Sequence, residues 1–135
     1  MIDPNNVPEV APGETLARYI LQRSHVRPGN LSVKPDAFMP PPSLELSVTR
    51  HLSATEEELW SIGEDVAAKR CRTLYGRGDI QTVACLHLKL VVKAAPLVIP
   101  PNPNHAHILG WPTEKSAQKN VAQQIAADAA FVPKP

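Results

Sequence analysis

The sequence predicts an α+β fold: a small two-layer sandwich of a short mixed sheet and two main amphipathic helices, with an extended Pro-rich N-terminal arm. Three observations predict it. Leu44, Leu46 and Val48 alternate with Glu45, Ser47 and Thr49, the period-two pattern of a half-buried strand. Residues 53–74 carry a helical apolar stripe with acids at its start and bases at its end. Residues 114–130 carry a second, narrower and alanine-rich stripe.

The elements follow in chain order. Residues 1–13 hold three prolines and almost no large apolar side chain, so they read as a flexible arm, with one globular domain over 14–132. Leu16, Tyr19, Ile20 and Arg23 recur at helical spacing and predict a short helix from Glu14. Pro28-Gly29-Asn30 is a turn, and the connector over 31–43 ends in Pro40-Pro41-Pro42, which favours polyproline II. Ser53 with Glu56 matches a capping box for the main helix. Its stripe is Trp60, Gly63, Ala67, Cys71 and Leu74, and Gly76-Arg77-Gly78 should stop it.

Residues 80–93 admit two readings: one strand, or a short turn or helix followed by a strand over 88–93. Pro96 to Pro103 is a loop with room for a short strand at Leu97–Ile99, and His105–Leu109 is a strand candidate. Gly110-Trp111-Pro112 breaks that strand, and Thr113 can cap the last helix, whose stripe is Ala117, Val121, Ile125 and Ala129.

Composition bounds function. The chain has 135 residues, 15 of them proline, most in 1–42 and 96–103. Net charge is +1, which points to no polyanionic partner for the whole chain. Locally, Lys69, Arg70, Arg72 and Arg77 form a candidate nucleic-acid patch, although a helix C-terminus alone selects such bases. Aromatics for stacking bases are few: two Trp, two Tyr and two Phe. Two cysteines make no disulfide framework, and Cys71 falls on the apolar stripe. No apolar run is long enough for a membrane span, and the first residues lack the regions of a signal peptide, so the expected location is cytoplasmic.

The densest segment is Asn102 to Pro112. On a strand, His105 and His107 project to one face, where two imidazoles can share a metal or act as an acid–base pair. A metal needs a further donor, and only Glu45, Asp79 and His87 are available. The blander reading makes His105 a turn cap and His107 a strand-edge residue. Ser24, His25 and Ser53 lack base–orienter partners, and no Gly-rich phosphate loop is present. Arg77-Gly78-Asp79 reads as a turn.

His105-Ala-His-Ile-Leu-Gly-Trp-Pro112, followed by a Lys/Gln-rich helix, resembles a pattern of small bacterial proteins to which no activity is attached. The strand–helix over Leu44–Val66 and the Gly-Arg-Gly-Asp turn at 76–79 extend the resemblance across most of 14–130. His107 stands where that pattern carries asparagine. The resemblance implies a bacterial source and one fixed fold.

The expected function is a non-enzymatic interaction protein: a small subunit or adaptor docking on a larger protein or on itself, with no cofactor and no metal. Partner binding is expected at Trp111, Asn104, His105 and His107, with Trp111 as a partly exposed anchor and Trp60 as core. The alternatives are a nucleic-acid-associated accessory protein and a small histidine-dependent hydrolase or nuclease.

Overall fold

The computed structural model describes residues 1–135. Six strands form one sheet: β1 (Thr15–Ile20), β2 (Leu46–Arg50), β3 (Gly76–Gln81), β4 (Val91–Ala94), β5 (His105–Leu109) and β6 (Ala130–Pro133). Their order is β4-β5-β2-β1-β3-β6. Three helices accompany them: α1 (Glu56–Lys69), α2 (Thr82–His87) and α3 (Lys115–Asp128). The fold is α+β, and the sheet is antiparallel at every pairing rather than mixed.

The largest correction is β1. Residues 15–20 form a strand next to the middle of the sheet, not a helix. Leu16 and Ile20 bury into one face while Ala17 and Tyr19 bury into the other. A strand buried on both sides loses its period-two signature, so its apolar spacing imitates a helix.

Register assigns the faces, because directly paired residues share one. Leu16, Ile80, Leu46, Ile108 and Val92 line the first face, where Ala122 and Ile125 of α3 pack with them and with Phe38. Tyr19 lies on the second face, packed with Ile62, Ala67 and Leu74 at α1. The helices therefore sit on opposite faces of the sheet, not in one layer. Gly63 allows this close approach: a Cβ there would stand 2.7 Å from the Tyr19 ring.

The cap of α1 is also shifted. Thr55, not Ser53, accepts from the Glu58 N–H, and the Glu58 carboxylate accepts from the Thr55 N–H at 2.9 Å. The helix stops at Cys71, not at Gly76. Cys71 has φ 53, and the Arg72 and Cys71 N–H groups donate to the Ala67 and Ala68 carbonyls at 2.9 and 3.1 Å. Those paired bonds are the Schellman closure. Gly76-Arg77-Gly78 instead opens β3. Residues 82–94 follow the helix-then-strand reading, with α2 leading to β4. The cap of α3 is Glu114 rather than Thr113, and its buried face is Gln118, Ala122, Ile125 and Ala126. No helix is long and apolar enough to cross a membrane.

Residues 1–13, expected as a loose arm, lie against the domain. Ile2 is 5% exposed and its N–H donates to Asn104 Oδ1 at 2.9 Å. The terminal ammonium donates to the Ser53 carbonyl and faces the Glu58 carboxylate. Arg50 donates to the Pro8 and Glu9 carbonyls at 2.8 and 3.3 Å. Proline-rich backbone keeps its carbonyls free as acceptors, which composition alone does not reveal.

Candidate functional site

Three of the four residues expected at a docking surface are instead buried. Asn104 is fully buried: its Nδ2 donates to the Arg50 and Leu52 carbonyls at 2.7 and 2.8 Å, and its Oδ1 accepts from Ile2. It ties β5 to the end of β2 and to the N-terminus. Trp111 is 5% exposed, belongs to the main core and donates from Nε1 to the Ile108 carbonyl at 2.9 Å. The Gly110 φ of +85 turns the chain back so that the indole folds over its own strand end. Trp60, expected as core, is half-buried, with the Arg77 guanidinium 4.8 Å above its ring.

The basic patch also comes apart. Arg77 is 3% exposed, donates to both Glu56 oxygens at 2.8 and 2.9 Å, and reaches Asp79 at 2.9 Å. His51 Nε2 meets the same Asp79 oxygen at 3.0 Å. Burial of Asp79 opposes its ionisation, but its bonds to His51 and Arg77 prevail and hold its carboxyl below the ordinary range. Lys69, Arg70 and Arg72 remain exposed near the end of α1.

His105 and His107 do share a face of β5, as period two requires. Their rings meet edge-on with centroids 4.8 Å apart. His105 Nδ1 lies 2.7 Å from the Ala95 carbonyl, which assigns the proton to Nδ1 and leaves a lone pair on Nε2. Burial pushes its pKa down, the Ala95 bond opposes this and His107 adds to it. His107 Nδ1 lies 3.4 Å from Glu45 Oε2. Of the other two donors, Asp79 is spent on His51 and Arg77, and His87 ends α2. No group of three or more His, Cys, Asp or Glu side chains gathers as a metal would need.

The second sheet face is covered by α1 only near Tyr19, and a cleft of about 380 Å³ opens beside it. One wall is α1, with Ile62, Asp65, Val66 and Lys69. The other is the loop before β5, with Leu97, Pro100, Pro101 and Asn102. The floor holds Tyr19, Thr49 and His105 from three neighbouring strands. Arg18, on the first face by register, also lines the cleft, beyond the last β1–β2 pair at Ala17 and Thr49. A second hollow, bounded by Met39, Pro41, Glu45 and His107, shares Arg18, Ser47 and Arg70 with the first.

Arg18 is the residue that sequence reading missed. Its Nε donates to the Ala37 carbonyl at 2.9 Å and its Nη1 to the Ser47 carbonyl at 2.9 Å. The only signal in the sequence is a lone charge inside Leu16-Ala17-Arg18-Tyr19-Ile20. Above the cleft, the loop tip exposes Val98 and Ile99 at 83% and 85%. No protein-family model, curated protein or solved structure matches this chain.

Proposed function

We propose that the chain is a non-enzymatic, cytoplasmic interaction protein that docks on a larger protein through the loop tip Leu97-Val98-Ile99. One observation carries this reading: two adjacent aliphatic side chains stand almost wholly in water beside a third, Leu97, at 40%. Scattered exposed apolar residues are ordinary, but a contiguous aliphatic tip raised beside a cleft suits insertion into an apolar pocket of a partner. Trp111, Asn104 and His105 are already engaged inside the fold, so the contact moves from them to the tip. The test is affinity capture from the native host with wild-type protein and with Val98→Ser/Ile99→Ser. A specific partner lost in the double variant, with an unchanged melting temperature, supports the reading. Equal recovery by both proteins removes the tip from it.

A second reading, histidine-dependent hydrolysis, is favoured by one feature: a neutral His105, with its Nε2 lone pair, on the cleft floor beside His107. Hydrolysis of a phosphodiester substrate that disappears in His105→Gln would promote it. The nucleic-acid reading is left with Lys69, Arg70 and Arg72, because Arg77 is committed internally. Salt-dependent retention of DNA or RNA by the wild type, lost in Lys69→Gln/Arg72→Gln, would support it.

A further inference from the structure

We infer that the cleft between α1 and the 97–102 loop is a binding site for a small organic monocarboxylate, its acid head on Arg18 and its apolar body against Ile62, Val66 and Leu97. The chain has three arginines on its central strands, and two of them are satisfied by carboxylates. Arg50 meets Glu14 and Arg77 meets Glu56 and Asp79. Arg18 is the exception. Its two bonds go to neutral carbonyls, no protein acceptor meets Nη2, and the residue lines both hollows. A guanidinium held this way is aimed and rigid but not neutralised, which is what a fork for an incoming oxyanion requires.

A second cation strengthens the site. Arg70 lines the same two hollows. Burial, and then the Arg70 charge, bring the Arg18 pKa down to about 10, so it stays protonated at neutral pH while its charge is costly. An anion between the two would relieve both costs.

Size and lining decide the class of anion. A cavity of about 380 Å³ falls in the usual range for small-ligand sites, roughly 300–1,000 Å³. Asp65 and, in the adjoining hollow, Glu45 offset part of the charge of Arg18, Lys69 and Arg70, and the apolar wall offers a second anionic charge no partner. The lining therefore suits a single carboxylate with a carbon body better than a phosphate. Ile62, Val66, Leu97 and the two prolines offer dry walls to a body of several carbons. Thr49, Asn102 and His105 supply hydrogen-bonding groups on the floor and rim.

The inference does not rest on docking through Val98 and Ile99, neither of which lines the cleft; Leu97 alone belongs to both the tip and the cleft wall. Amide and side-chain NMR shifts of the full chain can be followed on titration with 4-phenylbutyrate, 4-phenylbutanol and inorganic phosphate. Saturable shifts of Tyr19, Thr49 and His105 with phenylbutyrate are expected, with the alcohol and phosphate each at least tenfold weaker. Arg70→Gln, on the exposed rim, should weaken the acid about threefold to tenfold, and Arg18→Gln should abolish its binding. Should Arg18→Gln fail to fold, Arg70→Gln and the alcohol decide alone. Equal binding of acid and alcohol, tighter binding of phosphate, no saturable binding of the acid, or an Arg70→Gln protein indistinguishable from wild type would each overturn the assignment.

Discussion

Arg50 and Glu14 close on each other in a two-pronged ion pair, Nε to Oε1 at 2.7 Å and Nη2 to Oε2 at 2.8 Å. Arg50 is the largest fully buried side chain of the protein, and the same guanidinium takes the Pro8 and Glu9 carbonyls. The pair thus fastens the proline-rich N-terminal segment to the end of β2.

Removing that fastening should be costly. Breaking one side of a buried pair leaves an uncompensated charge and typically costs about 3–5 kcal/mol. Arg50→Ala, Glu14→Ala and deletion of residues 1–12 should each lower the melting temperature by well over five degrees, as thermal denaturation can measure. An unchanged transition after the deletion would return the segment to the status of a loose appendage.

Stability should fall in acid in two stages. His105 and His25 have folded pKa values below the ordinary 6.5, chiefly through burial, so the fold resists charging them. Their contribution is complete above about 6.5 and declines as pH drops toward their folded values. Burial of Glu14 opposes its ionisation, yet bonds from Arg50 and the Ala11 N–H keep its carboxyl below the ordinary 4.5. Asp79 is lowered likewise, from 3.8. These carboxylates stabilise the fold fully above their unfolded values and lose that contribution as pH falls through the folded ones. Melting temperatures should be flat from pH 8 to 7, slope gently below 6.5 and drop steeply below about 4.5. A flat profile down to pH 3.5 is the outcome that rejects these linkages.

The two tryptophans should respond unequally to truncation. Trp111 belongs to the main core and its indole N–H is satisfied inside it, so Trp111→Ala should cost about 3–5 kcal/mol. Trp60 is half-buried under Arg77, so Trp60→Ala should cost about 1–2 kcal/mol, mainly the lost cation–π contact and partial burial. Chemical denaturation of both variants ranks them. The reverse order would mean that the indole of Trp60, not Trp111, anchors the core.

Thiol chemistry should separate the cysteines. Cys71 is exposed just past the end of α1. Cys85 is wholly buried in α2, where burial pushes its thiol up to about 11. Titration of the native protein with an aromatic disulfide at pH 8 should modify one thiol per chain promptly and the second only on unfolding. Prompt reaction of two thiols would show that α2 opens readily from the sheet.

Local sequence determined the parts whose physics is local. Alternation placed β2, the breaking Gly110-Trp111-Pro112 bounded β5, the acid-to-base gradient placed α1, and period two on β5 put His105 and His107 on one face. Tertiary structure decided the rest. β1 is buried on both sides, so its pattern carries no strand period, and only its pairing with β2 and β3 makes it extended. Cys71 ends α1 because a left-handed residue there closes the Schellman bonds, a geometry no glycine announced. Trp111 went inward because Gly110 turns the indole back over its strand, a direction a Gly-Trp-Pro string leaves open. Arg18, Arg50 and Arg77 all lie on central strands of the sheet, although the local sequence put Arg77 in a turn and Arg18 in a helix. Which of them meets a carboxylate and which faces an open cleft depends mainly on Glu14 and Glu56, brought from 36 and 21 residues away, and that distance along the chain hides the choice.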